Sequence, residues 1–174
     1  MNTKKKRTIP SREELIKFSE EHLYYEMWML ISIEEELRTA TQGTPKCNAL
    51  LESFVIHAAI LIEFLYSKGN HPDTARASDY IMNGQKWQEC IPPYERYSEL
   101  IRNRRNEEMA HLSYKRLSVL PEKKPWRIDL IALQLRVFFN QFLENANPQF
   151  LHPKLYTLRM ELPNSQSGLT HHAE

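Results

Sequence analysis

Glycine is scarce here, with four residues in 174. That is too few for the turns of a strand-rich chain. None builds a phosphate-cradling glycine loop, which argues against a P-loop enzyme. Cysteine is scarcer still. Cys47 and Cys90 make no disulfide framework, so two reduced thiols in a cytosolic protein are expected. Cys47 has no histidine or acid close by in sequence, which makes it a poor thiol nucleophile. An excess of one charge is missing as well: 23 Lys and Arg stand against 22 Asp and Glu, a net charge of +1. No global nucleic-acid signature exists, and any basic site must be local. Long apolar runs are also absent. The longest nearly apolar one, Ala58 to Tyr66, contains Glu63 and reads as far too short to span a bilayer. The basic start, Lys4-Lys5-Lys6-Arg7, leads into no apolar segment, so it does not read as a secretory signal. A cytoplasmic protein with no membrane partner is expected.

What remains is helical periodicity. Ser11 and Glu14 form a capping-box pattern, and Leu15, Phe18, Leu23, Met27, Leu30, Ile31 and Leu37 come after it at roughly helical spacing. The pattern predicts a first helix from about Ser11 to Thr39, broken by the Thr41-Gln42-Gly43-Thr44-Pro45 stretch. A second helix is expected from Pro45 to Lys68. It is the most apolar segment and the expected centre of the core. Asp79-Tyr80-Ile81-Met82 suits one short helical turn, with Trp87, Cys90 and Ile91 packing back over the core. Pro92-Pro93 opens a third helix, to about Ser118, and Trp126 a fourth, to about Asn145. The expected fold is all-α: an up-down bundle of four main helices plus short helical turns, with mostly antiparallel neighbours. Residues 1–10 read as a flexible basic tail, 11–147 as the bundle, and 148–174 as a partly disordered C-terminal extension.

The functional content concentrates in the third helix. Arg102, Arg104 and Arg105 crowd one turn, Asn106 comes directly after, and His111 stands six positions after Arg105. A fork-shaped cationic donor near an imidazole suits phosphate chemistry. On an ideal helix Arg105 and His111 sit about 120° apart, and Arg104 and His111 are aligned but roughly 10 Å apart along the axis. Neither pair closes easily within one straight helix. Two copies facing each other across a two-fold axis would let each arginine meet the other chain's histidine. Between Ile101 and Arg127 there are eight Lys or Arg against three Glu, a local excess that suits a phosphate backbone or a solvated face alike. Arg104 with Glu107 or Glu108 also has the spacing of an ordinary helix ion pair.

Arg105-Asn106, four residues and then His111 resembles the signature of the HEPN superfamily: an arginine, a polar residue directly after it, and a histidine after four to six more. Arg104 satisfies the same spacing, so the register has two solutions. The stretches Ala110 to Arg116, Glu52 to Tyr66 and Asp79-Tyr80 are similar to segments of small bacterial HEPN-like proteins, and the resemblance covers about residues 45–120. It implies a helical, commonly homodimeric protein. It implies either a metal-independent endoribonuclease acting as a toxin or as an antiphage or stress effector, or a catalytically silent module binding a partner protein or nucleotide. An antitoxin partner is a further implication for a toxin member. In the nuclease reading His111 is the general acid/base, Arg105 the phosphate clamp and Asn106 an orienting hydrogen-bond partner. Arg104, Arg102, Tyr114 and Lys115 then contact the RNA, and no metal or other cofactor is needed.

Three other features compete with this reading. Glu108 and His111 have the Glu-x-x-His spacing of di-iron bundles, with Glu34, Glu35, Glu36, Glu52 and Glu63 as further carboxylates, but no second Glu-x-x-His exists. His57 reads as a satisfied core histidine. Tyr24, Tyr25 and Trp28 read as core rather than as a base-stacking platform.

Overall fold

The computed structural model describes residues 7, 9–67, 73–81, 87–91, 114, 117 and 126–159. The all-α expectation holds: the described chain is 79% helical and contains no strand. Helix α1 (Arg12–Phe18) starts at the anticipated capping box. The Glu14 N–H donates to Ser11 Oγ at 3.2 Å, and the Ser11 N–H donates to the Glu14 carboxylate at 2.7 Å. That contact with the Ser11 backbone holds the Glu14 carboxyl below its usual range.

The first rod is helical as expected through Thr39, but its middle is a π-helical turn (Ser19–Leu23) before α2 (Tyr24–Thr39). Two physical reasons coincide there. The buried positions Leu15, Ser19, Leu23 and Met27 are four residues apart, a spacing that drifts by about 40° per step on an ideal α-helix. The wider i→i+5 turn takes up that drift. Ser19 also bonds its own helix backbone, with Oγ donating to the Ile16 carbonyl at 2.7 Å, a competition that distorts helices.

Gly43, at a φ of +77°, turns the chain back. Thr44 caps the next helix by accepting from the Cys47 N–H at 3.2 Å, and Pro45 takes the first turn. Helix α3 (Pro45–Tyr66) lies antiparallel to α2. Lys46 meets Glu36 near the loop, and His57 meets Glu26 farther along. α3 is the centre of the core, burying Phe54, Val55, Ala58, Leu61, Ile62, Phe64 and Leu65. By length and composition it is also apolar enough to cross a membrane, a property that the shorter run Ala58 to Tyr66 does not reveal. Half of its most apolar stretch is buried inside the fold.

A short 3-10 turn (Ala77–Tyr80) and helix α4 (Trp87–Cys90) sit against α3. Trp87 and Ile91 are buried as anticipated, whereas the Cys90 side chain lies outside the described residues. The Trp87 indole N–H donates to the Leu65 carbonyl at 2.6 Å, satisfying one of the acceptors that a helix end leaves open. Helix α5 (Ile128–Asn145) closes the core. Its Phe142 ring meets Phe64 at 5.2 Å, Tyr80 at 5.6 Å and Trp87 at 6.0 Å, all nearly edge-on. The helix expected from Pro93 to Ser118 lies outside the described residues apart from Tyr114 and Leu117.

Residues 148–159 are docked on the bundle. Turns Pro148–Phe150 and Pro153–Leu158 bury Leu151 and Leu155. The His152 N–H donates to Ser19 Oγ at 2.8 Å, and Arg12 Nε donates to the Gln149 carbonyl at 3.1 Å. At the other end, Arg7 donates to Asp79 at 2.5 Å and to the Thr74 carbonyl at 3.2 Å, so this residue of the basic start is anchored.

Candidate functional site

Arg102, Arg104, Arg105, Asn106, His111 and Lys115 lie outside the described residues. Of the anticipated site, Tyr114 alone is described. It is 92% exposed, and Leu117, three positions on, is 85% exposed. A phenol so placed is open to a solvent-borne ligand and contributes nothing to the core.

Among the described residues the fold pairs ionisable side chains in several places, two of which join long helices. The first is Glu26 on α2 with His57 on α3. His57 is 8% exposed, and its Nδ1 lies 2.7 Å from Glu26 Oε2. The Tyr25 ring stands edge-on to the imidazole at 5.8 Å. His57 is thus a satisfied buried histidine, as expected, and its partner is a carboxylate. This pairing fixes the ring orientation of His57 and the rotamer of Glu26 together.

The second cluster is centred on Glu34, buried on α2. Arg38 donates to one of its oxygens at 2.7 Å, and Arg136 on α5 donates to the other. The contact with Glu34 raises the Arg38 guanidinium further above its already high range. With both oxygens engaged by guanidinium groups, Glu34 is not available as a metal ligand. Glu35, Glu36, Glu52 and Glu63 are all exposed. Among the described residues no group of three His, Cys, Asp or Glu could hold a metal ion. Glu34 therefore reads as a structural charge between α2 and α5.

Trp28 and Tyr25 correct the expectation that they belong to the core: they are 44% and 45% exposed. Their rings lie 6.3 Å apart on the outer face of α2, because the π turn directs Leu23, Met27 and Leu30 inward and leaves positions 25 and 28 outside. Between the π turn, α2, α3 and residues 74–75, a cleft of about 300 Å³ opens to solvent. Its floor is apolar (Leu23, Leu61 and Phe64), and Glu26, Glu63 and His22 supply its polar groups. Sequence reasoning missed this cleft. Its walls come from segments up to 57 positions apart, Phe18 to Ala75, and no local pattern joins them. A second hollow, about 240 Å³, lies over Glu34, Arg38 and Trp126.

Comparison with known proteins returns no match: no protein-family model, no curated protein and no solved structure matches the chain.

Proposed function

We propose that this chain is a metal-independent endoribonuclease of the HEPN type, a homodimer acting as a toxin or as an antiphage or stress effector. The observation that carries the reading is Arg105 followed directly by Asn106 and, four residues on, by His111, in a chain whose described part is all-α. RNA brings its own nucleophile, the 2′-OH, so neither a metal nor a protein nucleophile is required. His111 removes the 2′-OH proton, O2′ attacks phosphorus and the bond to O5′ breaks. The leaving oxygen takes up a proton, giving a 2′,3′-cyclic phosphate and a 5′-OH. Arg105, with Arg104 in reserve, clamps two phosphate oxygens as negative charge builds. Asn106 orients one of these groups, while Arg102, Tyr114 and Lys115 hold the strand.

The test is incubation of purified protein with total RNA in EDTA, followed by analysis of fragment ends. Wild type is expected to leave cyclic-phosphate ends, and a folded Arg105→Ala/His111→Ala variant none. His111→Ala alone should lower the rate by about 10²–10⁴-fold, the usual worth of a positioned acid/base. Absence of cleavage by wild type would overturn the nuclease reading in favour of the catalytically silent binding module. Loss of folding in His111→Ala would assign that histidine to the core.

A further inference from the structure

The cleft beside the π turn has a chemistry of its own, independent of any nuclease activity. We propose that it binds a small molecule with an apolar body and a protonated amine. Its volume of about 300 Å³ lies at the lower end of the range typical of small-ligand sites. The floor rests on core side chains, with Leu23, Leu61 and Phe64 buried beneath it, while half-buried Phe18 and exposed Ile60 present accessible apolar surface. An aliphatic or aromatic body seated there loses water from its apolar surface, the main source of affinity for such ligands.

The polar groups select the charge. Glu26 gives one carboxylate oxygen to His57, at 2.7 Å, which fixes the side chain and leaves the second oxygen without a hydrogen bond among the described residues. Glu63, one α3 turn beyond Ile60, is exposed and makes no ion pair among the described residues. Of the lining residues described, His22 alone is basic, and it is held between Glu21 at 4.0 Å and the Phe18 ring at 5.1 Å. A cation therefore meets two carboxylates above an apolar floor, whereas an anion meets repulsion. One wall is the π turn itself, a feature often found where helices bind ligands.

Isothermal titration of the full chain at low salt tests this, with 2-phenylethylamine as the cationic probe and 3-phenylpropionate as its anionic counterpart. Two variants accompany it. Glu63→Gln removes an exposed charge, and Ala75→Leu partly fills the cleft; circular dichroism checks that each stays folded. Saturable binding of the amine but not of the acid is expected. Glu63→Gln should weaken that binding by roughly two- to fivefold, the worth of one solvent-facing charge pair, and Ala75→Leu should weaken it further. The proposal is overturned if wild type gives no heat with the amine or binds the acid equally well. It is also overturned if a folded Glu63→Gln or Ala75→Leu leaves the amine's affinity unchanged.

Discussion

Glu34 is buried, and its charge is tolerated because two guanidiniums share it. The Arg136 side chain is 13% exposed, and its Nε has no partner among the described residues, so Glu34 carries most of its compensation. Glu34→Ala should therefore cost about 3–5 kcal/mol by stranding a buried cation. Urea unfolding should show this as a lower midpoint at unchanged slope. Glu34→Leu/Arg136→Met, which removes both charges and keeps volume, should recover most of that loss. Half of this arrangement was legible in the sequence, since Glu34 and Arg38 have ordinary helix spacing. The other half was not, because Arg136 lies 102 positions away and no local pattern joins the two. The same limit hid the Glu26–His57 pair, whose members stand 31 positions apart. The Arg105-Asn106-His111 pattern was legible because all its members fall within two helical turns.

At the scale of elements, the π turn joins two ends of the chain. Ser19 uses one hydroxyl twice, donating to Ile16 within its helix and accepting from the His152 N–H. Ser19→Ala should restore a more regular helix there while leaving a partly buried N–H unpaired, at a cost of roughly 1–3 kcal/mol. Hydrogen exchange should report it locally, with protection falling at residues 151–159 more than in α3; uniform loss across the protein would instead mean a global effect. Periodicity located the described long helices closely, because each buries one broad face. It could not locate the π turn, since positions 15, 19, 23 and 27 mix a serine with leucines and methionine and so conceal a continuous inward line. Nor did it reveal that residues 148–159 are docked. Two buried leucines four apart among prolines are too short a pattern to read, and their anchoring depends on a serine more than 130 positions earlier.

The whole molecule meets at Tyr80, whose hydroxyl donates to the Leu15 carbonyl at 3.2 Å and whose carbonyl accepts from the Asn147 N–H at 2.8 Å. First burial and then the charge of Asp79 push the phenol well above its usual range. Below the ordinary tyrosine range, about pH 10, folded and unfolded states both hold the proton and Tyr80 adds no pH dependence. Above it the unfolded chain releases the proton first, so the folded state binds more protons and stability falls as pH rises. Melting temperatures from pH 8 to 11 should decline for wild type more steeply than for Tyr80→Phe. Parallel curves would mean that Tyr80 titrates normally.

The bond between Ser19 and His152 also bears on biosynthesis. Its two partners are separated by 133 positions, so the hydroxyl leaves the ribosome long before the amide that completes it. At translation speeds of about 5–20 residues per second, that gap is roughly 7–27 seconds. Until then the N-terminal rod lacks the turns Pro148–Phe150 and Pro153–Leu158 that pack on its apolar line. A nascent chain stalled before residue 152 should therefore expose this apolar line to chaperones, and completion of the chain should withdraw it.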